Sequence, residues 1–125
     1  MGIFDGLLGH ASSASTETVQ RDLAPILAPG EVVGLAFKLV RDMYVFTDKR
    51  LILIDKQGIT GRKVEHHSIP YRAITQFSIE TAGTFDMEAE MRIWVSGQSA
   101  PLERTLARGV DVAGIQRALA AGVLR

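Results

Sequence analysis

The side chains with the most obvious chemical potential in this 125-residue chain are two adjacent histidines, His66-His67, and an acidic run, Asp86, Glu88 and Glu90. Two imidazoles hold one metal only if they aim at one point. Successive residues of a strand point to opposite faces, so this pair reads as structural or surface histidines. His10 is the remaining histidine, and no acidic spacing motif completes a ligand set. Paired carboxylates can divide acid and base roles. Here Glu88 and Glu90 share a strand face with Arg92 and Trp94, which reads as a solvated face balanced by Arg92. No nucleophile or proton donor converges on them. Cysteine is absent, which removes thiol nucleophiles, thiolate zinc sites and disulfides. Neither a phosphate-cradling glycine loop nor a Gly-x-Ser-x-Gly elbow occurs. The sequence thus predicts no catalytic, metal or cofactor-binding residues, and no enzyme.

The informative residue is Trp94. Met87, Ala89, Met91, Ile93 and Val95 have the opposite parity and should fill a core, which puts Trp94 outside with Glu88, Glu90 and Arg92. An outward Trp is expected either at a subunit interface or beneath N-terminal helices. With Arg92 and the outward aliphatic residues Ile52 and Ile54 it makes a candidate self-association surface. Phe4 and Leu7 join it from a helical stripe of Ile3, Phe4, Leu7 and Leu8. That stripe packs on the rest of the domain, on a neighbouring subunit, or on a membrane. The membrane reading is the weakest, because Asp5 and His10 stand where an interfacial helix carries Lys or Arg.

These residues need elements to position them. After a small polar stretch, Ala11 to Ser15, Ser15 can cap a helix with Glu17 in its first turn. Val19, Leu23, Ile26 and Leu27 recur at helical spacing until Pro25 and then Ala28-Pro29-Gly30 stop it. From Glu31 the period becomes two. Strands are expected over 33–39, 43–47, 50–55, 62–68, 74–81, 87–96 and 101–107, separated by turn residues. Val112, Ile115, Leu119 and Gly122 or Val123 then form a helical stripe capped by Asp111. Seven short strands predict a single mainly β domain, a sandwich or a barrel, and the amphipathic helix that follows suits an antiparallel orthogonal barrel whose open end it covers. Residues 1–30 form a helical extension packed on the barrel, and 31–125 the barrel domain.

Fourteen basic and fourteen acidic residues cancel, without the basic stripe that phosphate neutralisation demands. No nucleic-acid partner is expected. Arg62-Lys63 is the nearest approach to a cationic cluster for anionic membranes. The N-terminus lacks the features of a signal peptide, and no apolar run approaches the ~20 residues of a membrane span. A cytoplasmic location follows as the expectation.

Two stretches resemble a known family. Arg41-Asp42-Met43-Tyr44-Val45-Phe46-Thr47-Asp48-Lys49-Arg50-Leu51-Ile52 is similar to the second and third strands of bacterial pleckstrin-homology (PH) domains. His67-Ser68-Ile69-Pro70-Tyr71-Arg72-Ala73-Ile74 is similar to the approach to their fifth strand, and Thr81 to Asp86 and Ile93 to Gly97 fit the same pattern. The resemblance implies a PH-like barrel that assembles into symmetric homo-oligomers, with a pentamer-like ring suspected, and no catalytic activity. Phosphoinositide-binding PH domains place a basic cluster at the first hairpin. Here Lys38-Leu39-Val40-Arg41-Asp42 offers one Lys and one Arg beside an Asp, so phosphoinositide or membrane binding is not expected. Two functions remain. One is a self-assembling interaction module. The other is a module binding an anionic headgroup or peptide at the open barrel end, with Lys38, Arg41, Lys49 and Arg50 at its rim.

Overall fold

The computed structural model describes residues 12–13, 15–39, 41–58, 62–81 and 88–124; the expected N-terminal helix with Phe4 and Leu7 lies outside these. The chain runs β1 (Ser12–Ser13), α1 (Thr16–Asp22), β2 (Val33–Lys38), β3 (Asp42–Thr47), β4 (Arg50–Gln57), β5 (Lys63–Pro70), β6 (Ile74–Thr81), β7 (Ala89–Val95), β8 (Leu102–Leu106) and α2 (Val112–Val123). The seven longer strands fall where the β-rich runs were expected. Alternation breaks in β2, where Val33 and Phe37 enter different cores and Leu35 is exposed, and in β4, which is buried on both faces. One expectation changes: Ser12 and Ser13, read as linker, pair with Lys38 and Phe37 at the edge of β2.

Helix boundaries follow their local chemistry. The Ser15 hydroxyl accepts the Thr18 N–H at 3.3 Å and starts α1. A short 3-10 turn over Ala24–Ile26, carrying Pro25, ends the helical segment. The Asp111 carboxylate accepts the Gly114 N–H at 3.0 Å and caps α2.

β1 to β5 form one antiparallel sheet in chain order, and β6 to β8 a second. Between them lies the main core. Tyr44, Leu51 and Leu53 come from the first sheet, Met91, Ile93 and Leu106 from the second, and Ile115 and Leu119 from α2. Phe37 and Phe46 meet edge to face with ring centroids 6.0 Å apart. α2 packs against β6 and the Tyr71–Ala73 turn. Gly122 permits this approach, because a Cβ there would lie 2.5 Å from the Tyr71 ring.

A second, smaller core lies on the other face of the first sheet. Val19 of α1 and Leu23, its C-cap, cover Val33, Ala36, Val45, Ile52 and Ile54. This corrects the assignment of Ile52 and Ile54 to a subunit interface. They do face away from the main core, but α1 covers them within the same chain, leaving 0% and 9% exposed. Each buried side chain of this size contributes roughly 1.5–3 kcal/mol.

Gln20 fastens the helix to the sheet. Its amide donates to the Glu31 carbonyl at 2.9 Å and its oxygen accepts the Val33 N–H at 2.7 Å, satisfying backbone groups at the start of β2.

Candidate functional site

Three surfaces carry the chemistry expected from the sequence. The first is the outer face of β6–β7–β8. Ala89, Met91 and Ile93 point into the core, so Glu90, Arg92 and Trp94 point outward, as their parity requires. Trp94 stands opposite Gln76 of β6 and is half-buried. Arg92 ties the three strands together, donating to Glu103 at 3.1 Å and Glu80 at 3.3 Å. Its partners are therefore on β6 and β8 rather than the Glu88 and Glu90 of its own strand. Glu90 accepts the Thr105 hydroxyl at 3.2 Å. α1 covers the other sheet, so it does not bury Trp94.

The second surface is the end of the core near the β3–β4 turn. Glu31 is buried there, and its carboxylate is saturated. Oε1 accepts the Ala28 N–H at 2.9 Å and Arg50 Nη2 at 3.0 Å. Oε2 accepts the Thr47 hydroxyl at 2.6 Å and Arg50 Nε at 2.8 Å. Burial pushes the Glu31 pKa up, but the hydrogen bonds from Arg50, Thr47 and Ala28 outweigh it and hold the group down at about 2. Arg50 also donates to the Ile26 carbonyl and to Ser68 Oγ, both at 2.8 Å. All its nitrogens are committed to holding the 3-10 turn, β2, β4 and β5 together. Arg50 is a structural clamp, and the expectation that it lines a ligand rim is corrected.

The other rim residues do not form one site either. Lys38 and Arg41 flank the start of β3, while Lys49 and Arg50 follow its end. A six-residue strand separates them by roughly 17–20 Å. Arg41 Nη2 donates to the Gly58 carbonyl at 2.6 Å.

The third surface is the end of the core at the start of β3, opposite the end closed by α2. Asp42 and Asp55 are directly paired across β3 and β4, on the same face as Tyr44 and Leu53. Like charges in that register repel. Burial, then the hydrogen bond and the charge of Asp55, push the Asp42 pKa up to about 6. Beneath them Tyr44 is 2% exposed and its hydroxyl has no hydrogen-bond partner among the described residues. Burial and the Asp42 charge push that phenol up as well. Arg104, opposite the core residue Met91, faces the same space. Sequence reading passed over this group, although Asp42 and Asp55 lie two residues from the core positions Tyr44 and Leu53. On β5, His66 lies opposite Ile54 and His67 opposite Leu53, so the two imidazoles fall on different faces as expected.

Two packed antiparallel sheets in this order, followed by a C-terminal helix across one end, are the PH-like architecture. Residues 2–123 match the bacterial PH domain family, and the chain belongs to it. It is 57% identical to "Uncharacterized protein YjqA" of Bacillus subtilis (strain 168), over 97% of this chain and 98% of that protein. The pleckstrin homology domain from Shewanella amazonensis SB2B superposes with a TM-score of 0.84 at 55% identity, covering 90% of each chain. A DUF1696 family protein with a pleckstrin-homology domain, from Shewanella loihica PV-4, gives 0.81 at 52% identity, covering 93% of this chain and 99% of that one.

Proposed function

We propose that this PH-like domain is a non-enzymatic module whose primary property is association with copies of itself. One observation carries the reading. The outer face of the first sheet is sealed by α1, whereas no described element seals the outer face of β6–β7–β8, where Trp94 sits beside Arg92. Trp and Arg are the residue types most often found at energetic centres of interfaces. The reading is tested by light scattering behind a sizing column over a wide dilution range. Wild type should hold a multiple of its 13.6 kDa chain mass, and Trp94→Ala should shift dissociation to at least tenfold higher concentration. A single-chain mass for wild type at every concentration would end the proposal.

The alternative, an anionic headgroup or peptide bound at the open end, gains less support. Its four cations are divided between two ends, Arg50 is committed to Glu31, and the carboxylate pair Asp42–Asp55 occupies the remaining mouth.

A further inference from the structure

We infer that Asp42 and Asp55 form a binding site for a hydrated divalent cation of the calcium or magnesium class, at the end of the core opposite α2. The two residues are direct partners across β3 and β4, where Cβ atoms stand ~4.5–5.5 Å apart. Their carboxyls lie within hydrogen-bonding reach of one another, and both residues are half-buried. Two carboxylates that close do not both stay ionised unless a proton or a cation comes between them. Oxygens sharing one calcium stand roughly 3–4 Å apart, a spacing that directly paired strand positions supply.

The phenol beneath the pair points to the same ligand. Tyr44 lies two residues from Asp42 on the same face, is 2% exposed, and its hydroxyl has no hydrogen-bond partner among the described residues. After burial, the Asp42 charge acts on that hydroxyl most strongly, followed by Arg104, Asp55 and Glu90, so it is aimed at the carboxyl pair. Buried hydroxyls are rarely left unbonded. A water carried in by the ion supplies the partner.

The neighbouring guanidinium groups do not take the cation's place. Arg41 Nη2 donates to the Gly58 carbonyl at 2.6 Å and Arg104 Nη1 to the Glu103 carbonyl at 2.9 Å. Neither makes an ion pair with Asp42 or Asp55 among the described residues. The donors also select the ion. Carboxylate and phenol oxygens suit calcium and magnesium, whereas zinc favours nitrogen and sulfur. Among the described residues no three histidine or acidic side chains gather to hold a metal. The ion therefore keeps most of its water and binds with a dissociation constant on the order of 10⁻³ M.

The test is urea unfolding in calcium chloride against sodium chloride of equal ionic strength, with binding read separately by calcium displacement of terbium, whose emission Tyr44 sensitises. Asp55→Asn is the main variant, because losing the repulsion leaves the fold at least as stable. At pH 7.5, calcium at about ten times its dissociation constant should make wild-type folding about tenfold more favourable. Asp55→Asn should gain nothing, and Arg104→Gln should respond at several-fold lower calcium. At pH 5 the wild-type affinity should fall about tenfold, because a proton then fills the pair. The rival location is a hollow of about 300 Å³ lined by Glu80, Glu88 and Glu90, so Glu88→Gln should behave as wild type. Loss of the response in Glu88→Gln, or a full response in Asp55→Asn, would overturn the assignment by placing the ion elsewhere. No calcium response and no calcium-sensitive terbium emission in wild type would overturn it too, leaving the pair with its proton alone.

Discussion

Glu31→Gln removes one negative charge from the buried cluster that joins the 3-10 turn, β2 and β4, and its cost follows from the titration of Glu31. The carboxyl falls from its usual 4.5 to about 2. At ~1.4 kcal/mol per unit this is worth roughly 3 kcal/mol of stability. A lowered pKa contributes fully above the unfolded value. The wild-type advantage should therefore be complete above pH 4.5 and disappear as the pH falls through about 2. Arg50 adds to the loss, since its Nε keeps only the weaker amide partner and its Nη2 that amide and the Ile26 carbonyl. The assay is urea unfolding of both proteins at several pH values, with the difference in free energy plotted against pH. Subtraction cancels every titration the two proteins share, including that of Asp42. The two curves should lie about 3 kcal/mol apart at pH 7 and converge in acid. Parallel curves down to pH 3, or a gap under ~1 kcal/mol at pH 7, would refute the view that the ionised Glu31 holds this end together.

Two more outcomes follow from the opposite end. Tyr44→Phe should raise stability by about 1 kcal/mol, because it deletes a buried hydroxyl that forms no bond with any described residue. A urea midpoint lowered at unchanged slope would mean that the hydroxyl has a partner after all. Asp55→Asn should stabilise the domain by up to about 1 kcal/mol at pH 7.5 and by nothing measurable at pH 4, since the repulsion from Asp55 acts only when Asp42 is ionised. Equal effects at both pH values would sink that account.

The strands were legible because alternation survives in β7 and turn residues bound the other β-rich runs, and both caps, Ser15 and Asp111, precede periodic apolar residues. The cover on Ile52 and Ile54 was legible too, in a form that period-two reading misses. Leu51-Ile52-Leu53-Ile54 is apolar without a break, as expected of a strand buried on both faces, and a second layer was required somewhere. What supplies it is α1, whose two apolar anchors Val19 and Leu23 are ordinary for any amphipathic helix. The Glu31–Arg50 clamp spans 19 residues and the Asp42–Asp55 pair depends on β3–β4 register, so neither leaves a local signal.

The two ends of the molecule titrate in opposite senses, and this constrains where each substitution can be read. At the Glu31 end, ionisation stabilises, and stability is lost as the pH falls from 4.5 through about 2. At the Asp42 end a raised pKa means the reverse. Its contribution is complete below 3.8 and is lost as the pH rises through about 6. Asp42 is partly exposed, so its share is the smaller of the two. The two groups together place greatest stability between pH 3.8 and 4.5, below the neutral range in which association would be measured. A change of mass with pH in the neutral range cannot then be attributed to Glu31, which stays ionised there. Of the two carboxyls only Asp42 approaches that range, so Asp55→Asn, which removes the charge that raises its pKa, should abolish any part of the change that Asp42 carries.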